Sequence, residues 1–153
     1  MSEPIQSRAA GTEGVPARLP VVLYACIHNS GRSVAAKILT EHYARGRVGV
    51  ASAGSEPGSG VNPLVAAVLA ERGLRTDDEV PTLLTSDLVE DADVVVTMGC
   101  GETCPFFPGK RYLDWEVEDP AGQDLETVRR IVDDVDARVR ALLAELGVTL
   151  DRD

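Results

Sequence analysis

The stretch Cys26-Ile27-His28-Asn29-Ser30-Gly31-Arg32-Ser33 sets a thiol and a guanidinium five residues apart, with a hydroxyl directly after the arginine. A loop of that length can fold its backbone N–H groups around a tetrahedral oxyanion, and a helix starting at its end adds a positive N-terminus. Arg32 brings a planar fork that matches two oxygens of such an anion. Cys26, at the floor of a positive cup, is expected to ionise more readily than a free thiol and to act as a nucleophile, with Ser33 donating a hydrogen bond to the sulfur. A competing reading makes Cys26 a small buried hydrophobe at a strand end. The strand expected before it, the helix expected after it, Gly31 within the loop and the closing Arg-Ser pair favour chemistry. His28 either tunes the potential of the loop or packs against it as a neutral ring.

Two further thiols, Cys100 and Cys104, share one loop. Three cysteines are too few and too odd in number for a secreted disulfide framework, which points to a reducing compartment. His28 and His42 form no paired ligand motif with them, so no metal is expected. Asp119, directly before Pro120, is either a solvated turn residue or a proton donor near the strand ends.

These residues need a scaffold. The apolar run Val21-Val22-Leu23-Tyr24 suits a strand buried on both faces. Ala35, Ile38, Leu39 and His42 fall on one face of a helix that Gly46 ends. Val48 to Ser52 reads as a second strand, and Gly54 to Gly60 as a flexible loop by composition. Asn62 caps a helix with Pro63 at its first position, an apolar stripe of Val65, Val68 and Leu69, and Gly73 at its close. A short helix over Ser86 to Ala92 leads into a strand from Asp93 to Met98, and Arg111 to Trp115 supplies a fourth. The longest helix runs from an Asp124 cap to a Gly147 stop, with Val128, Ile131, Val132, Val135, Val139, Leu142 and Leu146 as its stripe. Alternating strands and helices imply a parallel sheet covered on both faces, whose ligands bind beyond the carboxyl ends of the strands.

The 153 residues, 44% hydrophobic and 26% charged, fit one globular domain, expected over residues 19–150 after a flexible leader at 1–18. A formal charge of −10 without a basic run excludes nucleic acid and anionic membrane surfaces as partners. No apolar run reaches the length of a membrane span or a secretory signal, so a cytoplasmic location is expected.

The sequence resembles the low-molecular-weight protein tyrosine phosphatase superfamily and, within it, the arsenate reductases. The resemblance rests on Cys26 to Ser33, on Ser52-Ala53-Gly54-Ser55-Glu56-Pro57 followed by Val61-Asn62-Pro63, and on Thr97-Met98-Gly99-Cys100. Phe107-Pro108-Gly109-Lys110-Arg111-Tyr112, Asp114-Trp115 and Asp119-Pro120 follow in the same order. It implies a three-layer α/β fold, a four-stranded parallel sheet flanked by helices on both faces. It also implies that Cys26 attacks arsenate, that Arg32 and the loop from Ile27 to Ser33 bind the oxyanion, with phosphate and sulfate as competitors, and that Asp119 is the general acid.

A phosphatase ends its cycle with water, whereas a reductase needs a second thiol to take over the adduct. By the resemblance, Cys100 attacks Cys26 to release arsenite, and Cys104 then closes a disulfide with Cys100 for thioredoxin to reduce. Three residues separate these cysteines here, fewer than in the best-known three-cysteine pattern. Other family members finish with mycothiol and a mycoredoxin, leaving Cys26 as the essential thiol. No bound cofactor is implied. Some relatives hold potassium beside the anion loop, and Asn29 matches one ligand position. Lys37 stands where a carboxylate ligand would fall and argues against the ion, and Val34-Ala35 replaces the usual Gln-Met. The rival functions are a tyrosine phosphatase and a non-enzymatic oxyanion or redox sensor.

Overall fold

The computed structural model describes residues 19–99 and 106–148. The leader expected over residues 1–18 lies outside them. Four strands, β1 (Val21–Cys26), β2 (Gly49–Gly54), β3 (Val94–Met98) and β4 (Arg111–Asp114), form one sheet in the order β2-β1-β3-β4. Every neighbouring pair is parallel. Helix α1 (Arg32–Ala44) connects β1 to β2, helices α2 (Pro63–Glu71) and α3 (Ser86–Asp91) connect β2 to β3, and α4 (Leu125–Glu145) follows β4.

Alternation along β1 divides the core. Val22, Tyr24 and Cys26 face a large layer that includes Val34, Ile38 and Leu39 of α1, Val65, Val68 and Leu69 of α2, and the stripe of α4. Leu23 faces the other way, into a smaller cluster with Ala53, Val95, Val89 and Ala92. Both sheet faces are therefore covered as expected, but unequally: the six-residue α3 is the only helix against the second face among the described residues. Val34 and Ala35 are 1% exposed, so the Val-Ala pair is part of the core.

The helices start where the sequence places caps. Asn62, Thr85 and Asp124 each accept from a backbone N–H in the first turn of α2, α3 and α4. Helix α1 is different: its N-cap is Gly31 and no side chain caps it. Its first N–H groups stay available at the carboxyl edge of the sheet. Inside, Thr40 donates to the Ala36 carbonyl at 2.7 Å, which leaves the Tyr24 hydroxyl to donate to Thr40 Oγ1 at 2.7 Å. Burial pushes the Tyr24 hydroxyl well above its ordinary titration range.

Strand β1 ends in register with Gly54 on one side and Met98 on the other. From β1 the chain runs outward to β2, then returns past β1 to β3, so the order reverses between β1 and β3. Crevices at such reversals, beyond the carboxyl ends of the strands, are where open parallel sheets bind ligands. The loop after β1 opens there.

Candidate active site

A trans peptide points its carbonyl and its N–H in opposite directions. A loop whose carbonyls are all engaged on its outside must therefore present its N–H groups inside. The anion loop holds most of its carbonyls this way: Cys26 O accepts from Ser55 N–H at 3.2 Å, Ile27 O from Glu56 at 2.7 Å, His28 O from Gly58 at 2.9 Å and Ser30 O from Asn62 at 2.7 Å. Gly31 O is taken by Ala35 of α1 at 2.9 Å. Residues 55–62 thus form a strap along the back of the loop, and the segment from Gly54 to Gly60, expected to be flexible, is pinned by backbone hydrogen bonds. Asn29 N–H points inward, 3.3 Å from Cys26 Sγ. Its φ of 51° is a left-handed conformation, the kind of step by which successive amides line an anion-binding concavity.

Cys26 sits on the floor, 2% exposed. Its sulfur lies 2.9 Å from Ser33 Oγ, and the direction of that bond follows from its neighbours. Thr82 N–H donates to Asn29 Oδ1 at 2.9 Å, which turns the other end of the amide, Nδ2, toward Ser33 Oγ at 2.7 Å. Ser33 accepts from Asn29, so its own proton is directed at the sulfur. The Ser33 donation expected from sequence is present, and Asn29 and Thr82 fix its direction.

Arg32 is 8% exposed. One guanidinium nitrogen donates to Val117 O at 3.3 Å and the other lies 3.7 Å from Asp119 Oδ2. A side chain on Gly99 would meet that guanidinium, since its Cβ would fall 2.9 Å from Nη1. Asp119 Oδ1 accepts from Ala121 N–H at 3.0 Å, a local turn that holds the carboxylate beside the arginine. Its side chain is 52% exposed. Pro120 is buried and packs against Gly31, closing the Asp119 turn onto the anion loop.

Cys26, His28, Ser30, Gly31, Arg32, Asn62, Asp119, Pro120 and Ala121 line one cavity of about 30 Å³. An aromatic ring needs roughly 150 Å³ when enclosed. On the far side of Arg32, a second cavity of about 200 Å³ is lined by Gly99, Asp114, Trp115, Glu116 and Val117. His28 is exposed at the rim, its Nδ1 donating to the Glu56 carbonyl at 2.9 Å. Ile27, Asn29 and Ser33 are part of the loop but not of the cavity lining. Cys100 and Cys104 lie outside the described residues. Among the described residues, no group of three or more His, Cys, Asp and Glu side chains is placed to hold a metal ion.

Sequence reasoning left three contributors without a site role: the 55–62 strap, Asn62 and Thr82. The block Ser52 to Pro57 with Val61 to Pro63 carries the signal for the first two. Nothing local marks Thr82, which acts through its backbone from 53 positions away.

A thiol on the floor of an amide-lined cup, an arginine across its mouth and a carboxylate above define an enzyme class that forms a covalent adduct between cysteine and an oxyanion. Residues 21–152 match the family model described as low molecular weight phosphotyrosine protein phosphatase, and the chain belongs to that family. A solved thioredoxin-dependent arsenate reductase of Corynebacterium glutamicum is 45% identical, with a TM-score of 0.78 over 87% of this chain and 64% of that one, so this chain spans less than two thirds of its length. A glutaredoxin arsenate reductase of Synechocystis is 32% identical over 82% of this chain and 98% of its own. Arsenate reductase 1 of Bacillus cereus is also 32% identical, over 82% of this chain and 95% of its own.

Proposed function

We propose that this protein is an arsenate reductase acting through a cysteinyl adduct on Cys26. The observation that carries the reading is the preformed cup, with five loop carbonyls held on its outside and Cys26 at its floor, in a chain similar to arsenate reductases over most of its length. Arsenate seats its oxygens on the loop amides and on the Arg32 fork, and phosphate and sulfate, of the same shape, compete. The Cys26 sulfur attacks arsenic, an As–S bond forms, an As–O bond breaks, and Asp119 supplies the proton that lets water leave.

A second thiol then attacks the Cys26 sulfur. The S–S bond forms, the As–S bond breaks, and arsenic keeps the electron pair, so arsenic(V) becomes arsenite while two thiols become a disulfide. We assign the second thiol to Cys100, with Cys104 closing the disulfide that thioredoxin reduces. The relative described as thioredoxin-dependent supports this coupling. Mycothiol with a mycoredoxin is the alternative, and a reducing cytoplasm suits either. No helix among the described residues is long and apolar enough to cross a membrane.

A phosphatase would use the same Cys26, Arg32 and Asp119, so slow cleavage of small aryl phosphates is expected as a side reaction. The test is NADPH oxidation in the presence of thioredoxin and its reductase. Arsenate should start it and Cys26→Ser should abolish it; arsenate-dependent oxidation that survives Cys26→Ser would overturn the assignment.

A further inference from the structure

The reaction described above has no use for Lys37, on the face of α1 one turn beyond Ser33. Its ammonium nevertheless donates to both carboxylate oxygens of Glu79, at 3.0 and 2.9 Å. The two side chains are 22% and 12% exposed, a far drier pair than the surface bridges on α4. Glu41 also faces the ammonium, at 3.8 Å.

Glu79 belongs to the segment between α2 and α3, and three residues later Thr82 makes the hydrogen bond that orients Asn29. Downstream, the segment is tied to β2: Gly54 N–H donates to Thr82 O and Leu84 N–H to Gly54 O, both at 2.8 Å. Upstream of Thr82 the anchoring is sparse. Val80 is 72% exposed and contributes its carbonyl only to Thr82 Oγ1. Glu79 is thus the side chain that fastens the upstream end, and it fastens it to the helix that carries Ser33.

We propose that Lys37 and Glu79 are positioning residues for Cys26. Their ion pair holds residues 79–82 against the anion loop, so that Thr82 N–H sets the Asn29 amide and Asn29 in turn aims the Ser33 proton at the sulfur. This inference rests on the nucleophilic role given to Cys26. Because thiol alkylation reads Cys26 without arsenate, failure of the reductase reading and failure of the clamp are distinguishable.

The experiment is iodoacetamide alkylation of Cys26 across pH on the full chain, read by mass spectrometry on the Cys26 peptide, with folding checked by circular dichroism. The groups facing the sulfur, Ser33, Arg32, Asp119 and His28, are left in place in the single variants. Lys37→Met and Glu79→Gln should both raise the pH midpoint of alkylation, by about one unit, the scale of a weakened hydrogen bond to a charged group. A through-space charge effect predicts opposite signs, because one variant removes a positive charge and the other a negative one.

The reversal Lys37→Glu with Glu79→Lys should return the midpoint toward that of the unaltered chain. In a Ser33→Ala background, neither single change should move it further. A midpoint that falls or stays put in Glu79→Gln, or a Lys37→Met effect undiminished by Ser33→Ala, would overturn the proposal. Should Lys37→Met fail to fold, Glu79→Gln, which keeps size and hydrogen-bonding oxygen, carries the same test.

Discussion

Gly31→Ala isolates the acid from the anion cup. A methyl group on Gly31 would lie 2.7 Å from Cγ of Pro120, a rigid ring with nowhere to swing. Ordinary carbon contacts are about 3.5–4.0 Å, so Pro120 must retreat by about 1 Å, and Asp119, its neighbour in the chain, retreats with it. A reacting group misplaced by about 1 Å costs on the order of 100-fold in rate, so kcat for arsenate should fall about 100-fold. The cup is built from the 26–32 amides and its strap, and it should bind phosphate within about threefold of the unaltered chain, because its hydrogen bonds do not pass through Pro120. Trp115, the single tryptophan, lines the cavity behind Arg32, so its fluorescence is the probe chosen to follow anion binding. In an Asp119→Asn background, Gly31→Ala should add little. Unchanged kcat, or phosphate affinity that weakens as much as kcat, would refute the assignment of Gly31 as the seat of the acid turn.

Acid should destabilise the fold in a way that two carboxylates can report. Glu71 is held below the usual carboxylate range by a hydrogen bond from Arg129, and Asp124 by hydrogen bonds from Thr127 at the start of α4. A carboxylate that titrates lower when folded adds stability above its unfolded pKa and loses it as pH falls through the folded one, so Tm should drop below about pH 4.5. Asp124→Asn should flatten that decline in a thermal-melt series, and an unchanged slope would contradict the assignment. A second prediction concerns salt. A chain of charge −10 opposes the approach of a dianion, so the association rate of phosphate, followed by Trp115 fluorescence, should rise as KCl goes from about 0.01 to 0.15 M. A falling rate would mean that the local field of the cup outweighs the net charge.

The scaffold was legible because its signals are local. Val21 to Tyr24 could be read as a buried strand, and Asn62-Pro63 and Asp124 as helix starts, because each cap acts within three residues of itself. The Cys26 to Ser33 loop was legible for the same reason. What escaped was long-range backbone bonding. The strap at 55–62 carries a recognisable sequence block, but its order comes from carbonyls of residues 26–30, on another part of the chain. Asn29 was visible as a residue, but the direction of its amide depends on Thr82. Asp119 was placed correctly beside the cup, while its 52% exposure depends on how the turn meets Gly31 and Arg32, which no spacing rule encodes.

The central claim is that Cys26 forms an adduct with arsenate that thiols resolve into arsenite. Its most direct test is a single turnover: fully reduced protein, excess arsenate, no external thiol, with arsenite and remaining free thiols both counted. The account predicts one arsenite released and two thiols lost per chain, with neither change in Cys26→Ser. Thiols left intact and no arsenite, both without an external thiol and after mycothiol is added, would contradict it.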